Sequence, residues 1–328
     1  MPGWGEILAE VTASSAANGG RPDFDGIRRK YLTQLYELTG RDTIVYATDW
    51  LRGAQPLSSI DLGDMQGMME VCQGLKGPGL DVILHSPGGS AEATASIVRY
   101  LRGKFSDIRV FVPLAAMSAA TMWTLAGDCV VMGKHSQLGP IDPQLITAQG
   151  AAIPARAVIE QFDRAKAEVQ ANPAALGAWA PILQQYGPAL LEQCEKAEQL
   201  ARRLAQEWLA AYMFAKDENG AAKAEETAQY FADYGTHQSH SLGITRDQAR
   251  DHGVKVDDLE DSQPLQDAVL SVHHATLHTL SGPSVKIIEN HQGKAFVMNV
   301  QQIMAVQGPG QGQMGMPFPM PAPAAPSP

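Results

Sequence analysis

Three stretches of this chain place reactive or charge-binding groups where chemistry could use them. In VPLAAMSAATMWTLAGDCVVMG an apolar run ends at Pro113, and Ser118 opens the helical stretch that follows, with Ala115, Ala116, Ala119 and Ala120 around it. Small neighbours let a substrate reach the hydroxyl, and a helix N-terminus, including the amide of Ala119, favours developing negative charge. The competing reading of Ser118 is a plain helix N-cap. In DVILHSPGGSAEATASIV an apolar strand runs into Ser86-Pro87-Gly88-Gly89. Adjacent glycines permit backbone conformations closed to other residues and leave amides exposed, an arrangement suited to an oxyanion or to an ordinary strand-to-helix turn. In GKHSQLGPIDPQL, Asp142 sits in a Gly- and Pro-punctuated loop after the strand CVVMG, where a carboxylate can orient an imidazole or simply cap a turn.

These residues need a scaffold, and the pattern around them predicts one. From Asp42 to Leu145, short β-branched runs (TIVYAT, DVILHS, IRVFVP, CVVMG) alternate with helical stretches, the order of a mainly parallel α/β sheet covered by helices. Residues 24–40 read as an amphipathic helix closed by Gly40, after a weaker helix and a Gly-containing linker. Residues 155–216 are rich in Ala, Leu, Gln and Glu at helical spacing, and a further helix is expected over 221–233. YGTHQSHSLG then reads as a polar loop, and Thr245 as the N-cap of a short helix. A helix over 263–280 and a hairpin, VKIIEN with KAFVMN around His291-Gln292-Gly293, follow.

Composition narrows the function. Of the 328 residues, 45% are apolar and 18% charged, as in a globular protein, and the net charge of −10 argues against a general nucleic-acid binder. Cys72, Cys129 and Cys194 are odd in number and far apart, so neither a disulfide framework nor a metal knuckle is expected and a reducing, cytoplasmic setting is the natural reading. The N-terminus lacks a signal-peptide pattern, and no run approaches the roughly 18 apolar residues of a membrane span. There is no GxxxxGK[ST] loop, no GxGxxG after a strand and no ligand cluster at metal spacing, so no cofactor is expected. The absence of GxSxG around Ser118 argues against an α/β-hydrolase.

Taken jointly, SPGG with its following helix, the small-residue-flanked serine and the Gly-Pro loop resemble the Clp-protease and signal-peptide-peptidase superfamily, related to the crotonases. More narrowly, MSAATMWTLAGD, LGPIDPQL and the distant HSLGIT resemble the serine dehydrogenase proteinase family, over roughly residues 40–255. That family carries a MSAGT-like serine motif, LGPVDPQ and HDYPIT, with a triad in the order Ser, Asp, His. The resemblance implies Ser118 as nucleophile, Asp142 as the orienting carboxylate and His240 as base. Asp142 stands where the Clp pattern has its histidine, so the imidazole must come from elsewhere. Ser241, Leu242 and Gly243 stand where Asp, Tyr and Pro are expected, and His237 is the alternative base.

The expectation is a Clp/crotonase-like α/β core with a helical insertion and a C-terminal helix and hairpin. It divides into an N-terminal helical arm (1–40), a serine protease domain (41–255) including the helical region 155–233, a C-terminal helix and hairpin (256–306) and a disordered Pro/Met/Gly-rich tail (307–328). The expected activity is endopeptidase cleavage of a polypeptide substrate through an acyl-enzyme, with Gly88, Gly89 and Ala119 amides as the oxyanion hole. A homo-oligomer is expected, and an ATP-dependent unfoldase partner by analogy alone. The competing readings are an acyl-CoA enzyme of crotonase type and a non-catalytic oligomeric scaffold. A Ser-Lys dyad using Lys134 or Lys166 is a lesser alternative. His85 and His135 read as hydrogen-bonded surface residues beside turns, and His273, His274 and His278 as a solvated helix face.

Overall fold

Alternation within four apolar strands sorts the core onto the two faces of one sheet. The structure, a computed structural model, describes residues 3–53, 57–146, 152–187 and 189–299. The chain opens with α1 (Trp4–Ala17) and α2 (Phe24–Thr39), then β1 (Asp42–Thr48), α3 (Asp64–Cys72), β2 (Gly79–His85), α4 (Ala91–Arg102) and β3 (Asp107–Val112). It continues through β4 (Ala115–Ala116), α5 (Ala119–Leu125), β5 (Cys129–Met132), β6 (Gln137–Leu138), β7 (Gln144–Ile146) and β8 (Ala152–Pro154). Helices α6 (Ala155–Ala171), α7 (Leu176–Leu183), α8 (Leu190–Ala211), α9 (Gly220–Ala232) and α10 (Tyr234–His237) follow. The last described elements are β9 (Ile244–Thr245), α11 (Arg246–Asp251), β10 (Val256–Asp258), α12 (Gln263–Leu280), β11 (Ser284–Asn290) and β12 (Ala295–Asn299).

The main sheet has seven strands in the order β10-β5-β3-β2-β1-β11-β12. Strands β10 to β1 run parallel, and β11 and β12 are added antiparallel. Ile44, Tyr46, Val82, Leu84, Val110 and Val112 pack into one apolar cluster with α3, α4, α5, α8 and α9. Their sequence neighbours Val45, Ala47, Ile83 and Phe111 pack into the other, with α1, α2 and α12. A strand's side chains alternate in direction, so apolar residues at successive positions need cover on both faces, and each fully buried one contributes roughly 1.5–3 kcal/mol. The mainly parallel α/β architecture expected from the sequence is thus present, and it extends past residue 255 through β10, β11 and β12. The tail over 307–328 lies outside the described residues.

Helix α2 begins where the Asp23 carboxylate accepts the Gly26 amide at 2.9 Å and ends at Gly40, whose φ of 66° closes it. The buried Arg28 guanidinium pairs with buried Glu289 of β11, which also takes Arg29 at 2.6 Å, fastening this helix to the sheet.

Two histidine expectations are corrected. His273 and His278 of α12 are buried, because α1 lies across that helix: the Trp4 ring stacks on His278 with centroids 3.9 Å apart, and the Trp4 carbonyl accepts from its Nε2 at 3.1 Å. His85 is also fully buried, its ring edge-on to His273 at 5.1 Å, and neither nitrogen has a hydrogen-bond partner of good geometry. Burial lowers the His85 pKa to about 4, which the nearby Ala115 carbonyl and Asp49 carboxylate offset only in part. Burial also pushes His273 well below the ordinary histidine value, helped by the neighbouring imidazoles of His85, His274 and His135. Among the described residues no helix is long and apolar enough to cross a membrane.

Candidate active site

The strands of the parallel sheet end at a common edge, and the chain leaving β2, β3 and β5 there supplies the groups of interest. After β2, Ser86-Pro87-Gly88-Gly89 leads to Ser90, whose hydroxyl caps α4 by accepting the Ala93 amide at 3.0 Å. Gly88 and Gly89 adopt φ of 95° and 151°. A Cβ on Gly88 would lie 2.5 Å from the Met117 carbonyl oxygen and 2.8 Å from the Ala119 nitrogen; one on Gly89 would lie 2.3 Å from the Ile60 carbonyl oxygen. Glycine is required at both by conformation and by close approach. The Gly88 amide donates to the Ser86 hydroxyl at 3.2 Å. Among the described residues the Gly89 and Ala119 amides have no acceptor, and both residues line the cleft described below.

Ser118 follows the two-residue strand β4, at the head of α5. Its backbone is held at φ 51°, ψ −121°, and its side chain makes no capping hydrogen bond, so the N-cap reading of this serine is not what the structure shows. A non-glycine residue in this region costs of order 1–3 kcal/mol and persists only where its surroundings fix it. They do so here: the Met117 amide donates to the Ser86 carbonyl at 2.9 Å and the Ser86 amide to the Ala115 carbonyl at 3.2 Å. The Thr121 hydroxyl donates to the Ala116 carbonyl at 2.7 Å and accepts the Gly139 amide at 2.9 Å, locking α5 to the segment that carries Asp142.

A small second sheet brings the distant histidine to the carboxylate. β4 pairs parallel with β6, and β6 pairs antiparallel with β9, Leu138 opposite Ile244. In an antiparallel pair, equal steps forward on one strand and backward on the other lead to the same end. Asp142 lies as far after Leu138 as His240 lies before Ile244, and the two meet, Nδ1 of His240 2.8 Å from Oδ1 of Asp142. Asp142 is buried, at 2% exposure, and its other oxygen accepts the side-chain Nε2 of Gln144 at 2.9 Å. An ionised carboxylate only accepts, so Nδ1 carries the proton and Nε2 keeps its lone pair. His237 is placed apart: it is buried in α10 with Nε2 2.8 Å from the Tyr230 carbonyl, and does not line the cleft.

Ser118, Ala119, Gly88, Gly89 and His240 line one cleft of about 500 Å³. Its apolar wall comes from Met122, Ile141, Leu200 and Ala201, and the β7–β8 hairpin flanks it through Ile146 and Ala152. Another cleft, of about 550 Å³ between α6, α8 and α9, is lined by Arg156, Glu198 and Arg202 and contains none of the candidate triad or oxyanion residues. Lys134 and Lys166 are exposed and away from the serine, and among the described residues no lysine lines its cleft. Sequence reasoning missed Thr121 and Gln144, although both stand within the quoted motifs, and the segment Ser59-Ile60, whose contact with the glycine loop has no local signal.

The fold is a mainly parallel α/β arrangement, with the candidate site at the carboxyl ends of parallel strands. Residues 68–179 match the family described as ClpP-like SDH-type serine proteinase, the family that the chain's motifs resemble. The match spans Gly88, Gly89, Ser118 and Asp142 and stops before His240. Two uncharacterized proteins of Methanocaldococcus jannaschii are 28% and 27% identical over 178 and 177 residues, in each case 54% of this chain. The chain spans about half the length of these relatives, 53% and 51%. Two structures of the 1510-N membrane-bound stomatin-specific protease, a serine-to-alanine mutant and a lysine-to-alanine mutant with a substrate peptide, are 18% and 19% identical, with TM-scores of 0.38 and 0.34. They cover 64% and 58% of this chain, and 79% and 65% of their own chains are covered.

Proposed function

We propose that this chain is a serine peptidase in which Ser118 is the nucleophile, His240 the general base and Asp142 its orienting carboxylate. The observation that carries the reading is the meeting, on one cleft, of a strained and uncapped serine with a His240 imidazole joined at 2.8 Å to the buried Asp142 carboxylate. In the reaction, Nε2 of His240 takes the Ser118 proton as Oγ bonds to the substrate carbonyl carbon. The carbonyl oxygen becomes an oxyanion, for which the acceptor-less Gly89 and Ala119 amides are suited donors. The imidazolium returns its proton to the departing amine as the C–N bond breaks, and water, activated by the same imidazole, hydrolyses the acyl-enzyme. Asp142 fixes the ring and stabilises its transient positive charge.

The placement of His237, with Nε2 engaged by the Tyr230 carbonyl, favours His240 as the base. The apolar wall of Met122, Ile141 and Leu200 suits an apolar substrate side chain. The test is labelling by a fluorophosphonate. Wild type and His237→Ala should label, Ser118→Ala should not, and His240→Ala should label far more slowly. Labelling that survives Ser118→Ala removes this serine from the mechanism, and no labelling of wild type is the result expected of a non-catalytic scaffold.

A further inference from the structure

We infer that Lys286, on the antiparallel strand β11 far from the cleft in sequence, is a positioning residue that holds the Gly89 amide in place through the backbone of Ile60; the inference rests on the peptidase reading above. The Gly88-Gly89 loop has no strand partner of its own beyond a single residue. The Ile60 amide donates to the Gly88 carbonyl at 2.7 Å, and the Ile60 carbonyl accepts the Ser90 amide at 2.9 Å, so Ile60 brackets Gly89 on both sides. Ile60 lies in an irregular connection between β1 and α3, which by itself would be a poor anchor for a group that must stay within a fraction of an ångström.

The anchor is a charge cluster under that connection, in which Lys286 and Asp64 are buried and Asp61 is half-exposed. The Lys286 side chain is fully buried, and its Nζ donates to the Ser59 carbonyl at 2.9 Å, to Asp61 Oδ2 at 3.3 Å and to Asp64 Oδ1 at 2.6 Å. An ammonium has three donors and no acceptor, and each donor here has its partner. Asp64, also buried, uses Oδ2 to accept the Asp61 amide at 3.1 Å and the Tyr46 hydroxyl at 2.7 Å. The cluster therefore grips the Ser59 carbonyl and the Asp61 amide, the peptide groups on either side of Ile60. Tyr46 in turn packs edge-on against Trp123 of the serine helix, centroids 5.3 Å apart, so one cluster references the glycine loop and the nucleophile to the same strand. A charged pair removed from water is a costly way to obtain stability alone, whereas directional hydrogen bonds to backbone groups fix position.

The test uses the full chain carrying Lys286→Met and, because a lone Asp64 carboxylate in the interior threatens folding, the double variant Lys286→Met with Asp64→Asn. Amide hydrogen exchange at Ile60 and Ser90 should speed up at least roughly tenfold in either folded variant, with α12 unchanged, since local opening is what the cluster suppresses. With a peptide substrate, kcat should fall roughly tenfold at a KM within about twofold of wild type, and affinity for a peptide aldehyde, whose hemiacetal needs the same amides, should fall in step with kcat. Unchanged exchange at both amides, or acceleration shared equally by α12, would overturn the positioning role. An inactive wild type would instead remove the peptidase reading, and the exchange result would still judge Lys286.

Discussion

The two halves of the cleft are built to different standards of rigidity. On one side Gly88 and Gly89 follow the core strand β2, and Ser118 follows the short strand β4 at the head of the buried helix α5, in backbone conformations that neighbouring peptide groups enforce at contact distance. On the other, His240 is delivered by a loop anchored through the two-residue strand β9, with its side chain 22% exposed. The contrast separates the tasks. Groups that must meet a developing charge gain from being immobile, while a proton carrier needs its ring aligned but tolerates a lighter support, provided a carboxylate fixes its tautomer.

Substitutions on each side should break this contrast in opposite ways. His240→Ala should lower kcat/KM by about 10³–10⁴ yet cost only about 1–2 kcal/mol of stability, because one hydrogen bond to Asp142 is lost from a half-open loop; kinetics and denaturant melts on the same preparation measure both. Gly89→Ala should lower kcat by about 10²–10³ and also cost about 3 kcal/mol or more, since its Cβ would collide with Ile60 at an unfavourable φ; retention of the wild-type melting point would mean that the loop yields and is not rigid. The effect with the least bearing on catalysis is an acid one, read in stability alone. His85, the residue before the glycine loop, keeps its proton off until about pH 4 when folded and binds it near 6.5 when unfolded. Its contribution is therefore intact above about 6.5 and is lost as pH falls toward 4, on the order of 3 kcal/mol in all, with buried His273 acting in the same direction. His85→Leu should flatten the stability profile across that window, as followed by urea denaturation; an unchanged slope would assign the acid sensitivity elsewhere.

Much of the rigid half was legible in the residue pattern, and little of the lighter half. Apolar runs ending in Ser86-Pro87-Gly88-Gly89 and in small residues around Ser118 announce strand ends, because both their period and their breakers are local. Strands β4, β6 and β9 are two residues each, too short to show a period, so the pairing that joins Asp142 to His240 has no local signature and enters the reading only through resemblance. The loop expected over YGTHQSHSLG contains the turn of helix α10, begun by the Asp233 carboxylate accepting the Gly235 amide at 3.1 Å, and that turn is what buries His237. The α12 histidines depart from the expected solvated face for a related reason: polarity suggests a wet face, and only the covering α1 makes it dry. Lys286 looks like a surface lysine in VKIIEN until the acidic turn Asp61–Asp64 is brought beneath it.

The pairing of β6 with β9 also has a consequence in time. A ribosome releases the serine and its glycine loop long before the segment bearing the imidazole, and a separation of 98 residues must close before base and carboxylate touch. On the proposed reading a nascent chain, or one cut before His240, is inert by construction, unable to attack its neighbours until the imidazole has been made.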